Sequence, residues 1–262
     1  MPILNLYNLE EFKLYLLVLA RFSTVLFMMP IFGSKMLPDM LKAALAMVLS
    51  LLFYSVVDIE PSLLPDTVLE TVLLVIFEVM MGIMMGTCIR LFFGAVQLAG
   101  QIIGFQMGFS MINVVDPQSG ANVSIMEQIG YWTCLLVFII LNGHHIILLC
   151  VIESFTLVPP GGFVLQREMV DTLLAQGSRL FILSIKIGAP IIASLLFTSV
   201  AFGLIGKFAP QMNIMIVAFP MKIVVGLVLF GLALEVVKIM TREYVSGLKS
   251  LLMSLFFWAG GG

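Results

Sequence analysis

Apolar residues run through this chain in long blocks, separated by short stretches rich in proline, aspartate, asparagine and glycine. Blocks of spanning or near-spanning length fall at 14–32, 40–57, 68–93, 129–152, 180–205 and 214–240, and they predict six main helices. Breaks are expected at 30–38, at 58–66 with Pro61 and Pro65, at 116–122, at 159–162, and at 207–213 around Pro210. Beyond these, 241–262 reads as one more amphipathic helix over 241–258, followed by a frayed tail at 260–262. No internal repeat, low-complexity block or interdomain linker interrupts the pattern, so residues 1–262 read as a single all-α domain.

One stretch departs from plain oiliness. Over 94–117, Gly100, Gly104 and Gly108 recur every fourth residue beside Gln97 and Gln101, while Leu98, Ile102, Phe105 and Phe109 cover much of the other side. Each such glycine lowers helix propensity by about 1 kcal/mol. A compensating gain is therefore expected, most simply the close approach of another backbone. Gly82 and Gly86 repeat the spacing one helix-half earlier, flanked by Met80, Met81, Met84 and Met85, which read as packing residues. Ser110, Asn113, Asp116 and Pro117 end the pattern, so a tightly packed, partly polar helix runs into a loop.

Composition strengthens the membrane reading. Hydrophobic residues make up 61% of the chain and charged ones 11%, well below the ~25% charge of a soluble domain, and the mean hydropathy is +1.16. A net charge of −2 provides no basic field for nucleic acid. Cys88, Cys134 and Cys150 are widely spaced, without CxxC or histidine at ligand spacing, and read as small buried hydrophobes. Glu10 and Glu11 precede Lys13, and Arg21 interrupts the first block, unlike a cleaved signal, so the first helix is expected to be retained.

Charges inside the blocks argue against a simple bundle in lipid. Arg21, Glu78, Arg90, Lys186, Lys222 and Glu235 lie within or at the ends of apolar runs, where a mid-bilayer charge costs about 2.5 to 3.5 kcal/mol or more. Glu78, Arg90 and Lys222 are taken as buried charges that face protein or water. Pro190 and Pro220 are expected to break or kink their helices. Glu78 invites two readings, a proton acceptor or a structural ion pair. Arg90 stands about 18 Å further along a straight helix, so a basic residue on a partner subunit is the expected counter-ion. His144 and His145, being adjacent, point to different helix faces and form no shared metal site.

Catalytic patterns are missing: no HExxH, GxSxG or GxxxxGK[ST] occurs, and Asp39, Asp58, Asp66, Asp116 and Asp171 sit near segment ends rather than as an intramembrane pair. The chain is read as a non-enzyme with no cofactor and no metal. A self-sufficient secondary transporter or channel remains an alternative, although such proteins usually show internal repeats.

Taken in order, Arg21, Pro30, Pro38, Lys42, Glu78, Gly82, Gly86, Gln97, Gly100, Gly104 to Gly108, Ser110, Asp116-Pro117, Asn142-Gly143-His144, Pro159, Gly162, Pro190, Pro210-Gln211 and Phe219-Pro220 resemble the FliR family of flagellar type III export-gate proteins, equivalent to SctT in injectisomes. The likeness spans roughly residues 21–220, and the last forty residues add little to it. It implies an all-helical subunit with a FliP-like part followed by a FliQ-like part, built with FliP-like and FliQ-like subunits into a helical hetero-oligomer, with an FlhB-like subunit docking nearby. The implied place is the bacterial inner membrane within the flagellar basal body, raised toward the periplasm, where unfolded proteins pass.

From residue types alone, the segment after Gly104 is an ordinary interhelical loop with packed apolar residues. The resemblance implies instead a plug built from Gln106, Met107, Gly108, Phe109, Ser110, Met111, Ile112, Val114, Asp116 and Pro117. Bulky apolar side chains would exclude water there, with Gly104 and Gly108 as hinges. The residues do not distinguish a flagellar from an injectisome system outright, but their spelling inclines toward the flagellum.

Overall fold

A computed structural model of the protein describes residues 9–32, 38–57, 67–109, 124–211 and 213–261. Among these residues the regular secondary structure is all helical, with seven helices: α1 (Leu9–Met28), α2 (Asp39–Tyr54), α3 (Val68–Met107), α4 (Ile125–Ile140), α5 (Gly143–Leu157), α6 (Arg167–Phe208) and α7 (Ile214–Ala259). Local chemistry sets several of their ends. Thr67 and Glu70 open α3 as a reciprocal capping box: the Glu70 N–H donates to Thr67 Oγ1 (3.3 Å) and the Thr67 N–H to Glu70 Oε2 (3.4 Å). Asn142 takes a left-handed φ of 56° between α4 and α5, so the apolar block expected at 129–152 forms a bent pair of helices rather than one. At Pro159–Gly162 the Gly162 N–H donates to Pro159 O (2.9 Å), with Gly161 at φ 83°, a turn that needs glycine at its third position.

Pro190 and Pro220 lie inside α6 and α7 without ending them. A proline in a helix forfeits one backbone hydrogen bond, and the rest of a long apolar helix holds that local defect in place. Residues 241–258 are likewise no separate helix, because α7 continues unbroken to Ala259. Its end is tied rather than frayed: Gly260 N–H bonds to Phe256 O, and Ala259 O accepts from Val164 N–H at 2.8 Å.

Among the described residues the six blocks translate into three helices long and apolar enough to cross a membrane, α3, α6 and α7, or four spans if the bent α4–α5 pair counts as one. Helices of 40, 42 and 46 residues extend about 60 Å or more, roughly twice a hydrocarbon core.

The residues group into two compact units. The first contains 1–91, 141–177 and 244–262, and the second 92–140 and 178–243. In the first unit, Leu17, Val18, Phe22 and Leu26 of α1 are buried, as are Met81, Met85 and Ile89 of α3. Phe22 stacks on Phe53 at 5.1 Å and on Phe155 at 6.5 Å. Gly82 lies so near α1 that a Cβ would stand 2.6 Å from Thr24 Cβ, and Gly86 meets Met28 in the same way. In the second unit, Ile103, Met107, Met126, Ile191, Leu195, Phe230 and Ala233 form the core, and Phe93 meets Tyr131 and Phe138 edge-on.

Candidate functional site

The glycine stripe of α3 meets the start of α4. A Cβ at Gly100 would stand 2.5 Å from Glu127 Cα and 2.7 Å from its nitrogen, and one at Gly104 would run into Ser124 Oγ. Backbone cannot yield as a flexible side chain can, so only glycine lets these helices approach at Gly100. Gln97 beside it is half-buried and Gln101 exposed. Gly104 therefore serves packing within an unbroken helix.

Helix α3 then closes in a Schellman motif. Gly108, at φ 93°, donates its N–H to Phe105 O (3.0 Å), and the Phe109 N–H reaches Gly104 O (3.1 Å). Side chains fix this end from within the same unit. Met107 is fully buried, and its side chain fills the space beside Gly226, where a Cβ would come within 2.6 Å of Met107 Cγ. A Cβ on Gly108 would stand 2.6 Å from Phe219 Cε2. Phe109 packs against the core of Ile103, Met107 and Phe230, and Gln106 is half-buried. Ser110, Met111, Ile112, Val114, Asp116 and Pro117, the rest of the expected plug, lie outside the described residues.

The three charges expected to be buried have different fates. Glu78 is buried, and its counter-ion is Arg21 of the same chain, not a partner subunit. Unbroken α3 leaves Arg90 the full helical separation away. Arg90 is exposed rather than buried, with its Nε–H donating to Met28 O at 3.2 Å. Its guanidinium thus meets the electron-rich C-terminus of α1 while staying at the surface of this chain. Lys222 is half-buried on α7.

Sequence reasoning missed the Arg21–Glu78 partnership and its third member, Ser154, whose Oγ accepts from Arg21 Nη1 at 2.8 Å. The detectable signal was two opposite charges in separate apolar blocks; nothing in the sequence marks Ser154. His144 and His145 lie with ring centroids 4.1 Å apart and their planes tilted by 44°. Among the described residues no three His, Cys, Asp or Glu side chains cluster as metal ligands would. Met81, Met84 and Met85 are buried beside Gly82 and Gly86, while Met80 stays partly exposed.

Comparison with known proteins now decides the family. The family described as "Bacterial export proteins, family 1" matches residues 12–248. "Flagellar biosynthetic protein FliR" of Bacillus subtilis (strain 168) is 30% identical over 244 residues, 91% of this chain and 92% of that protein. The chain belongs to the FliR family of bacterial export proteins. Further FliR relatives include that of Escherichia coli (strain K12), 32% identical over 62% of each chain, and that of Aquifex aeolicus (strain VF5), 29% identical over 88% of this chain and 89% of that one. The FliR family match takes in Arg21, Glu78 and all of α3. It also continues past Pro220 to residue 248, so the last part of the chain carries more of the likeness than the motifs alone indicate. By its description it is an export family.

Proposed function

We propose that this chain is a structural and gating subunit of the flagellar type III protein-export gate, with Gln106 to Pro117 forming the plug of its passage. Unfolded flagellar proteins would be the cargo. FliP-like, FliQ-like and FlhB-like subunits would be the partners, and the whole chain, 1–262, would act as one gate domain in the inner membrane of the basal body, raised toward the periplasm. The flagellar setting is favoured over an injectisome by the name shared by the relatives, flagellar biosynthetic protein FliR.

The observation that carries this reading is the anchored end of α3. Gly100 against the α4 backbone, Met107 beside Gly226 and Phe219 against Gly108 hold the root of the segment. A gate needs a rigid frame from which a small segment moves. The apolar faces of α6 and α7, with Phe197, Leu204, Met215 and Leu232 exposed, support a place among other apolar helices.

Two measurements test the proposal. Co-expressed with FliP-like and FliQ-like subunits, the chain is expected in one defined heteromer, whereas alone it should behave poorly in detergent. Deleting residues 109–114 should raise ion leakage through the assembled complex several-fold. The plug role is lost if that deletion leaves both leakage and export unchanged. A chain that transports a small solute on its own after reconstitution would instead be a transporter.

A further inference from the structure

We infer that Arg21 and Glu78 are an internal clamp that closes the first unit on itself, and that Glu78 is not a proton carrier. Arg21 is fully buried, yet each of its three nitrogens has a partner. Nε–H donates to Glu78 Oε2, Nη1 to Ser154 Oγ at 2.8 Å, and Nη2 to Val158 O at 3.1 Å. The centre of its guanidinium lies 3.9 Å from the Phe155 ring centroid. Ser154 donates its own proton to Val151 O at 2.6 Å, which leaves a lone pair free for the arginine. Val158 follows the last turn of α5, where unpaired carbonyls make a cation welcome. One side chain of α1 thereby ties α3 to the end of α5.

The counter-charge is committed as well. Glu78 is 1% exposed, so bulk water does not reach it. Its partner does not deprotonate in proteins, so protonating Glu78 would strand a buried guanidinium. Among the described residues of this unit, Lys42 pairs with Asp39, Lys249 with Glu153 and Arg167 with Asp171, and Arg90 donates to Met28 O. None of these four contacts involves Glu78. A carboxylate that shuttles protons needs a path in and a neighbour that can let go, and Glu78 has neither.

The test uses the full chain in its co-purified export complex. Glu78→Gln and Arg21→Met should each lower the amount of chain recovered in the complex by at least about tenfold. The double variant Arg21→Met/Glu78→Leu should restore part of that loss, and secretion per assembled complex should stay at the wild-type level. Because substituted chains can fail to assemble altogether, the wild-type complex is also treated with a hydrophobic carbodiimide, which modifies protonatable carboxyls. The clamp predicts that Glu78 stays unmodified in the intact complex. Labelling of Glu78 there, or a Glu78→Gln variant that assembles normally while secretion per complex collapses, overturns the inference. The labelling result does not depend on the plug assignment, so failure of one idea leaves the other standing.

Discussion

Two glycines of α3 do different work, and substitution separates them. At Gly100 a methyl group would strike the α4 backbone, so Gly100→Ala should destabilise the chain by about 1–3 kcal/mol, read as a lower melting temperature of the purified complex. At Gly108 the penalty for a β-carbon is conformational, because φ is 93°, and Gly108→Ala should cost about 1–2 kcal/mol besides displacing Phe219. By contrast, Gly203→Ala has open space in this chain. If no other helix packs there, it should gain up to about 1 kcal/mol of helix propensity. The four-residue spacing made the glycines legible in sequence, because periodicity is a local signal. Arg21 and Glu78 were visible as charges but not as a pair. Their contact spans 57 residues, and which charge meets which is set by tertiary packing.

At the scale of elements, the apolar blocks located the helices but misjudged their lengths. The apolar block at 68–93 and the glycine-striped helix expected after it form the one helix α3, which runs to Met107, and the block ending at 240 and the separate helix expected at 241–258 form the one helix α7, which runs to Ala259. A hydrophobic block marks where a helix is oily, whereas its end is set by capping, and neither stretch has a cap at those points. Pro190 and Pro220 do not end their helices. Since Pro220 sits within a continuous α7, Pro220→Ala should leave helicity unchanged and raise stability, by up to about 3 kcal/mol, as seen by circular dichroism during heating. Thr67→Ala should remove one half of the α3 capping box and cost about 1 kcal/mol, with faster amide exchange in the first turn of α3 as the local readout.

The molecule as a whole is oilier than its own core requires. Most of the apolar length of α6 and α7 is uncovered within this chain. Composition announced that surplus, and the all-helical class followed from it. What covers the surplus is not written in composition, because lipid and a neighbouring helix select the same residues. The division into two interleaved units was also invisible, since the long helices carry the chain from one to the other without any break that sequence could mark. One consequence concerns the order of events during synthesis. Arg21 leaves the ribosome 133 residues before Ser154 and 137 before Val158, a wait of roughly 7 to 27 s at ordinary elongation rates. Until its counter-ion Glu78 follows, 57 residues on, its charge must be kept wet or chaperoned. The set of partners that Arg21 of α1 gathers is thus complete only once α5 has followed.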